Sequence, residues 1–296
     1  MRKIKVIGAA TMGHQVKYIE DMLNSMSNAG CECTFEKGTS TRPINMVQFP
    51  RKFYDIGVCW GVRRLQQMKN LEIAKNILVI ENSYLNNIQH REKEWVSIGW
   101  NGLNGRANFY NKMSPSDRWE KHFNDGRMLE YTDGEYVLIP LQIRTDASIR
   151  GLNINYQNIC NEIRKFTNLP IKIKQHPTAN DGQDIISGKD ISYIDRMMPI
   201  KDAVKNAKIV VTVNSNAGVD AVVAGKPVIS LDVGSMVYDI SSHSFEKINL
   251  PDWPDRTQWG YDIAYAQWHP NEIKNGEAWN HLKQGAKIDN WYGHNV

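Results

Sequence analysis

The stretch VVTVNSNAGVDAVVAGKPVIS, residues 210–230, contains a strand, a helix and a second strand in immediate succession. Its apolar ends are typical of buried strands, and the small residues between them predict a short helix. The sequence Gly-Lys-Pro at 225–227 predicts the turn into the second strand. Apolar packing alone does not explain the polar break at the start of the helix. This break, Asn214-Ser215-Asn216 followed by Gly218, is either a joint of the fold or a ligand site.

The rest of the chain repeats the same alternation of strands and helices. KIKVIGAA (3–10) predicts a strand, residues 14–30 a helix that stops at Gly30, and CECTFE (31–36) a second strand, which together form a βαβ unit with parallel strands. A new series of strands starts at GEYVLIPLQI (134–143). The sequence therefore predicts an α/β protein with two Rossmann-like domains facing a cleft. We expect domains at 1–132 and 133–250, with C-terminal helices at 251–296 that pack back on the first domain.

Composition narrows the classes of protein without naming one. The chain has 296 residues, of which 41% are hydrophobic, and its net charge of +4 permits an anionic ligand. The sequence contains no block of Lys and Arg of the kind that binds nucleic acid. The four cysteines lack zinc-site spacing, so we expect reduced thiols and a cytoplasmic protein. The apolar start of the chain is too short for a signal peptide or a membrane span. The oligomeric state stays open.

Polar side chains follow several of the predicted strands, and in doubly wound sheets ligands bind at the carboxyl ends of strands. His176 follows one strand and could donate to a phosphate oxygen, although a structural histidine in a loop is an equally good interpretation. Ser215 lies at the start of the helix in 210–230. Together with backbone N–H groups it could bind a phosphate, but helix capping is the better interpretation of Ser215 on its own.

Two further strand ends carry candidate residues. Glu81 ends the very apolar strand of ILVIENSYL (77–85) and could act as a general base, or could be a solvated carboxylate. Gln142 and Asp146 follow the first strand of the second half, where Gln142 could recognise a base or a hydroxyl, or make a loop hydrogen bond. The sequence has no P-loop, no G-x-G-x-x-G after the first strand and no H-E-x-x-H, so we expect neither a metal nor a cofactor.

Four motifs occur in one order that resembles the capsule-polysaccharide Kdo transferases and the related bacterial sialyltransferases, which are GT-B glycosyltransferases. They read ENSYL, PLQIRTD, KQHP and VNSNAGVDAVVAGKPV. The resemblance is firm over about residues 134–240. Of the E-D-G turn of that family, the chain keeps only Glu81.

The resemblance implies roles for individual residues. Glu81 matches the base that takes the acceptor proton, and His176 matches the histidine that contacts the phosphate of the leaving nucleotide. Ser215 matches the serine of the phosphate-binding turn, and Asp220 takes the place of a glutamate near the nucleotide. The donor site is then expected to comprise Gln142, His176, Asn214, Ser215, Asn216, Ala217, Gly218 and Asp220.

Two other stretches, WVSIGWNGLNGRANF (95–109) and AYAQWHPNEIKNGEAW (264–279), are similar to phage-encoded proteins of this type. This similarity suggests that the acceptor of the sugar could be a hydroxylated base of phage DNA. We expect the acceptor side to include Trp100, Asn101, Asn104 and Arg106.

The resulting hypothesis is a metal-independent, inverting glycosyltransferase. It would move a sugar from a nucleotide sugar, its co-substrate, to a hydroxyl acceptor in DNA or in a glycan. A capsule or surface glycan acceptor with a CMP-sugar donor is one alternative. An enzyme similar to UDP-sugar epimerases and a non-catalytic nucleotide-binding module are the others.

Overall fold

The computed structural model describes residues 3–11, 13–38, 49–50, 52–85, 94–124, 128–179 and 185–286. The sequence DGQD at 181–184, which has spaced carboxylates in a loop context that does not favour metal binding, lies outside these ranges. The strands are β1 (Lys5–Ala10), β2 (Glu32–Lys37), β3 (Tyr54–Trp60), β4 (Ala74–Asn82), β5 (Val96–Trp100), β6 (Tyr136–Pro140), β7 (Ile171–Lys174), β8 (Ile191–Ile194), β9 (Ala207–Thr212), β10 (Val228–Ser230) and β11 (Gln267–Trp268). The α-helices are α1 (Gly13–Asn28), α2 (Gly61–Asn70), α3 (Tyr156–Arg164), α4 (Ile200–Lys205), α5 (Ala217–Val223), α6 (Thr257–Ala264), α7 (Pro270–Lys274) and α8 (Glu277–Leu282).

The chain divides into two compact units. Unit 1 holds the described residues up to 85, together with 94–114 and 262–286, and unit 2 holds those within Pro115–Tyr261. The first division thus falls after residue 114, whereas the sequence analysis placed it near 132. Backbone hydrogen bonds explain the difference, because Leu129 N–H donates to Val223 O (2.8 Å) and Thr132 N–H donates to Gly225 O (3.1 Å), both in unit 2.

The sheet of unit 1 has six strands in the order β11-β5-β4-β3-β1-β2. The strands β1 to β4 run parallel, as the βαβ pattern predicts, whereas β5 runs antiparallel to β4 and β11 antiparallel to β5. Apolar side chains on α1 recur at helical spacing and are buried against one face of the sheet. Gly30 ends this helix region with φ +92°, in the left-handed conformation that favours glycine.

The C-terminal segment from residue 262 belongs to unit 1. The amide oxygen of Gln267 on β11 accepts the backbone N–H groups of Tyr84 (2.8 Å) and Leu85 (3.0 Å). Trp100 Nε1 donates to Leu282 O at 2.9 Å, and the hydroxyl of Ser25 on α1 donates to the last turn of α7. No helix in the described ranges is long and apolar enough to cross a membrane.

The sheet of unit 2 has five parallel strands in the order β10-β9-β6-β7-β8. Its central strands β6 and β9 are buried at every position except Lys208, as expected for a parallel sheet covered on both faces. The chain runs from β6 through β7 to β8 on one side and then returns to β9 on the other side of β6. The order of strands therefore reverses between β6 and β9, which is where open α/β sheets bind ligands outside the carboxyl ends of their strands.

The Gly-Lys-Pro turn at 225–227 is structural, as the sequence predicts. Gly225 has φ +69°, and a Cβ atom at this position would lie 2.1 Å from Glu130 O, so only glycine fits. Lys226 is 1% exposed, and its ammonium donates to Thr132 O (3.2 Å) and Asp133 O (2.9 Å). The turn therefore fastens the segment that leads into β6.

Replacing Lys226 by methionine is expected to lower the free energy of unfolding by about 2 kcal/mol, because the apolar stem remains while two charge-assisted hydrogen bonds are lost. Chemical denaturation monitored by fluorescence measures the change. Lys208→Met is the matched control: Lys208 pairs with the exposed carboxylate of Asp133 at 3.0 Å, and its loss is expected to cost less than about 1 kcal/mol. Equal costs for the two variants would contradict the structural role of Lys226.

Candidate functional site

The polar residues that follow β6 and β9 meet where the strand order of unit 2 reverses. Gln142 follows β6, Asn214 follows β9, and both are almost fully buried. The amide of Gln142 accepts Asn214 N–H at 3.2 Å and donates to Asn214 Oδ1 at 2.9 Å and Ser148 Oγ at 3.1 Å. Asn214 in turn donates to Ser148 O at 2.9 Å and to Asp232 Oδ2 at 2.6 Å. These bonds tie together the ends of β6, β9 and β10.

This network changes the interpretation of two predicted donor-site residues. Both N–H groups of the Gln142 amide already have acceptors, and so do those of Asn214, so neither side chain can donate to a ligand without breaking an internal bond. They hold the strand ends in place. Asp232 is not among the residues predicted from the sequence, although an acidic residue two positions after the buried strand PVIS was a usable signal.

The turn around Ser215 differs from the predicted phosphate cradle. Three of its backbone N–H groups have internal acceptors: those of Ser215, Ala217 and Gly218 donate to Thr212 Oγ1 (3.2 Å), Ser215 Oγ (3.3 Å) and Ser215 O (3.0 Å). Asn216 is the half-buried N-cap residue of α5. Because Ser215 Oγ accepts from Ala217, its own hydroxyl proton can point outward, so the side chain is one donor that this turn can present to a ligand.

His176 follows β7 and is exposed, with a fixed arrangement of its ring nitrogens. Thr178 N–H donates to Nδ1 at 3.2 Å, and Thr178 Oγ1 lies 2.9 Å from the same atom. Partial desolvation lowers the pKa of His176, a nearby Asp146 opposes this shift, and Lys174 adds to it. The ring is therefore neutral at pH 7, and because Nδ1 accepts a backbone N–H, Nε2 carries the proton and can donate it.

His176 and Ser215 lie on either side of the same strand. Their strands, β7 and β9, both pair with β6, so their carboxyl ends are about 10 Å apart, twice the spacing of neighbouring strands. Two side chains that reach inward from these ends can contact one phosphate group placed over the end of β6.

Asp220 lies in the first turn of α5 and is 6% exposed. Burial raises the pKa of its carboxyl to about 7. Within the part of the chain that the structure describes, no group donates a hydrogen bond to this carboxyl. It is therefore a buried acid whose charge is not compensated.

Glu81 is the penultimate residue of β4 in unit 1, half-buried at the carboxyl end of the sheet. Its Oε1 accepts the N–H of Asn82 at 2.9 Å. Its Oε2 would lie 3.1 Å from a Cβ at position 61, so Gly61, which has φ +70°, leaves room for the carboxylate beside the start of α2. This placement at a strand end agrees with the sequence analysis.

The residues predicted for the acceptor side do not lie beside Glu81. In the antiparallel pair, Glu81 faces Ser97 while Trp100 faces Leu78, so the end of β5 lies at the opposite end of this pair. Trp100 is buried against Trp279, and Asn101 Oδ1 accepts the N–H of Ile77 at 2.8 Å. Asn104 and Arg106 belong to the 3-10 turn that follows. The strand β5, whose direction decides this point, is not among the strands predicted from the sequence.

A family profile matches the part of the chain that forms unit 2. The profile, described as "Capsule polysaccharide biosynthesis protein", matches residues 115–258, just under half of the chain. The matched range nearly coincides with unit 2 (Pro115–Tyr261). No curated protein sequence matches the chain.

Solved structures of two sugar transferases are similar over almost the whole chain. The beta Kdo 2,4 transferase of KpsC from Thermosulfurimonas dismutans has 13% identity and a TM-score of 0.57, with 93% of this chain and 95% of that chain covered. The beta Kdo 2,7 transferase of KpsC from the same organism also has 13% identity, with 95% and 99% covered and a TM-score of 0.46, which is too low to support an argument. The first likeness and the two Rossmann-like sheets establish the fold: the chain has the two-unit α/β fold of the GT-B glycosyltransferases, and its second unit matches the capsule polysaccharide biosynthesis profile.

Proposed function

We propose that this protein is a glycosyltransferase that moves a sugar from a nucleotide sugar to a hydroxyl of a saccharide acceptor, without a metal and with inversion. The observation that carries the proposal is the position of His176 and Ser215. Both lie at carboxyl ends of strands on either side of β6, in the part of the chain that matches the capsule polysaccharide profile. The resemblance found in the sequence assigns both residues to the nucleotide phosphate.

Unit 2 would bind the donor and stabilise the departing phosphate. As the bond between the anomeric carbon and the phosphate oxygen breaks, negative charge develops on the phosphate. The Nε2–H of His176 and the hydroxyl of Ser215 are held in place before the reaction, so they can stabilise this charge with little reorganisation. Gln142 and Asn214 act indirectly, because they fix the strand ends between which the phosphate would lie.

Asp220 is the candidate for binding the ribose. A ribose diol would supply two O–H donors to a carboxyl that has none among the described residues, and such bonds favour the ionised form. Nucleotide affinity is therefore expected to increase as the pH rises through about 7, the pKa of Asp220.

Unit 1 would activate the acceptor. Glu81 would accept the proton of the acceptor hydroxyl while its oxygen bonds to the anomeric carbon, so that the nucleotide leaves with the electron pair of the broken bond. The profile description favours a glycan acceptor. The DNA acceptor suggested by residues 95–109 receives no support, because Trp100 and Asn101 lie away from Glu81.

A thermal-shift panel of UDP, CMP, ADP, GDP and their sugar conjugates tests the proposal. A nucleotide at a hundred times its Kd stabilises the protein by about 2.7 kcal/mol. We expect one base to give a clear shift and the matching nucleotide sugar to be a donor in the presence of EDTA. Conversion of the donor without any acceptor would instead indicate an epimerase, and binding without turnover a non-catalytic module. A panel with no shift would contradict the proposal.

Replacing Glu81 by glutamine is expected to lower kcat for transfer by about a hundredfold, because general-base catalysis is lost, while donor affinity stays the same. Steady-state kinetics with the identified donor measure both quantities. Glu36→Gln serves as the control, since Glu36 is also a half-buried glutamate near the end of a strand of the same sheet. An unchanged kcat in Glu81→Gln would remove Glu81 as the base.

A further inference from the structure

A second polar and aromatic site lies at the carboxyl edge of the sheet in unit 1. The chain runs from β1 to β2 on one side and then crosses to β3 on the other side of β1. The strand order thus reverses between β1 and β3, and in open α/β sheets a crevice forms outside the carboxyl ends of such strands. Ala10 and Trp60 end these two strands.

Three aromatic rings are grouped at this edge. His14, exposed in the first turn of α1, lies edge-on to the indole of Trp60, with 5.4 Å between centroids and an interplanar angle of 88°. Tyr18, one turn further along α1, lies 5.7 Å from the same indole. Trp60 is half-buried, and no group in the described ranges accepts its indole N–H. By contrast, the indole N–H groups of Trp100 and Trp259 both donate to backbone carbonyls.

Glu81 lies on the strand next to Trp60, but its side chain points to the opposite face of the sheet, because Ile80 packs on the face of Trp60 and side chains alternate along β4. Trp60 pairs with Ile80, so Glu81 is the next residue along β4. Gly61, directly after Trp60, has φ +70° and no side chain, and Glu81 Oε2 lies next to it. The turn at 60–61 therefore has an indole on one flank and a carboxylate on the other.

We propose that His14 and Trp60 form the subsite that binds the acceptor sugar, with a pyranose ring as its ligand. The assignment of this subsite to the acceptor rests on the proposed function. The face of an indole packs against the apolar C–H face of a pyranose, while the indole N–H and the imidazole bond its hydroxyls. Phosphates of nucleic acids are contacted mainly by Lys and Arg side chains, and the subsite, like the adjacent Glu81, contributes neither. Its composition therefore favours a neutral saccharide.

The test measures binding of three methyl β-D-pyranosides (glucoside, galactoside and N-acetylglucosaminide) by saturation-transfer NMR, with thymidine as the nucleoside probe. We expect at least one pyranoside to bind the wild-type protein, about tenfold more weakly in Trp60→Ala and several-fold more weakly in His14→Ala. Trp60→Phe, which keeps an aromatic face, should lose less. Trp253→Ala is the control, because Trp253 is an exposed tryptophan of unit 2 and its loss should change nothing.

Several outcomes would overturn the subsite. They are no pyranoside binding to the wild-type protein, equal binding in both Trp60 variants and His14→Ala, or binding of thymidine alone. If Trp60→Ala fails to fold, Trp60→Phe and the exposed His14→Ala decide. The nucleotide thermal shift is measured on the same variants and should not change. If nucleotides do not raise the melting temperature of the wild-type protein but a pyranoside binds at Trp60, the proposed function is contradicted while the sugar-binding subsite is supported.

Discussion

Replacing His176 by alanine is expected to lower the rate of sugar transfer about a hundredfold to a thousandfold while leaving the fold intact. Removing one preorganised donor to a developing anion typically costs a hundredfold to a thousandfold in rate. The residue is exposed, and in the described ranges its ring is hydrogen-bonded to Thr178 alone, so we expect the free energy of unfolding to change by about 0.5 kcal/mol or less. Transfer kinetics and thermal unfolding of the same preparation measure the two effects.

Two further variants show whether His176 acts as a donor. His176→Gln places an amide N–H near the position of Nε2 and should recover part of the rate, because a neutral donor is what the lowered pKa of His176 predicts. His243→Ala is the control: His243 is an exposed histidine of the same unit that stacks on Tyr238 at 3.9 Å, and its loss should leave the rate unchanged. Full activity in His176→Ala would remove its role at the phosphate.

Replacing Asp220 by asparagine is expected to stabilise the protein at pH 8, by as much as about 4 kcal/mol. The carboxyl has a pKa of about 7 in the folded protein and 3.8 as its reference value. Between these values the unfolded chain has lost its proton and the folded protein has not, so wild-type stability decreases as the pH rises from about 4 to 7. The neutral amide avoids this cost, and the gain should therefore shrink below pH 7 and disappear near pH 4.

Denaturation of both proteins at pH 4, 6 and 8 measures this gain. Asp239→Asn is the control, because Asp239 is an exposed aspartate of the same unit and its replacement should leave the free energy of unfolding nearly unchanged. The thermal shift produced by the nucleotide at pH 8 should be smaller in Asp220→Asn than in the wild-type protein, since the amide accepts ribose hydroxyls less strongly than a carboxylate. A gain that does not vary with pH would contradict the buried ionisation. If the thermal shift produced by the nucleotide is the same in both proteins, Asp220 does not bind the ribose.

Much of the fold could be predicted because its signals are local. The alternation of buried strands with amphipathic helices extends over windows of 5 to 15 residues, and glycine marks positions of positive φ such as Gly30 and Gly225. The same signals place His176 and Ser215 just beyond the ends of strands, and in the structure they follow β7 by two residues and β9 by three. In a parallel sheet, residues after strands must lie at one edge, so these positions were predictable without any knowledge of the tertiary contacts.

The roles that the structure changed depend on contacts between distant parts of the chain. Gln142 and Asn214 are 72 residues apart, and only their hydrogen bonds to each other show that they clamp strand ends. The antiparallel direction of β5 was not predictable because a short apolar strand pairs in either direction, and this direction separates Trp100 from Glu81.

The sequence by itself determined the two α/β units, the structural turn at 225–227 and the strand ends where His176, Ser215 and Glu81 lie. Only the tertiary structure decided which polar groups remain available to a ligand. A hydrogen-bond donor can serve a ligand only if no neighbour already uses it, and the neighbours are set by strand pairing and not by sequence order. For the same reason, the stretch at 210–230 placed Asp220 on the helix after the polar break, and only its burial in the folded unit raises its pKa to about 7.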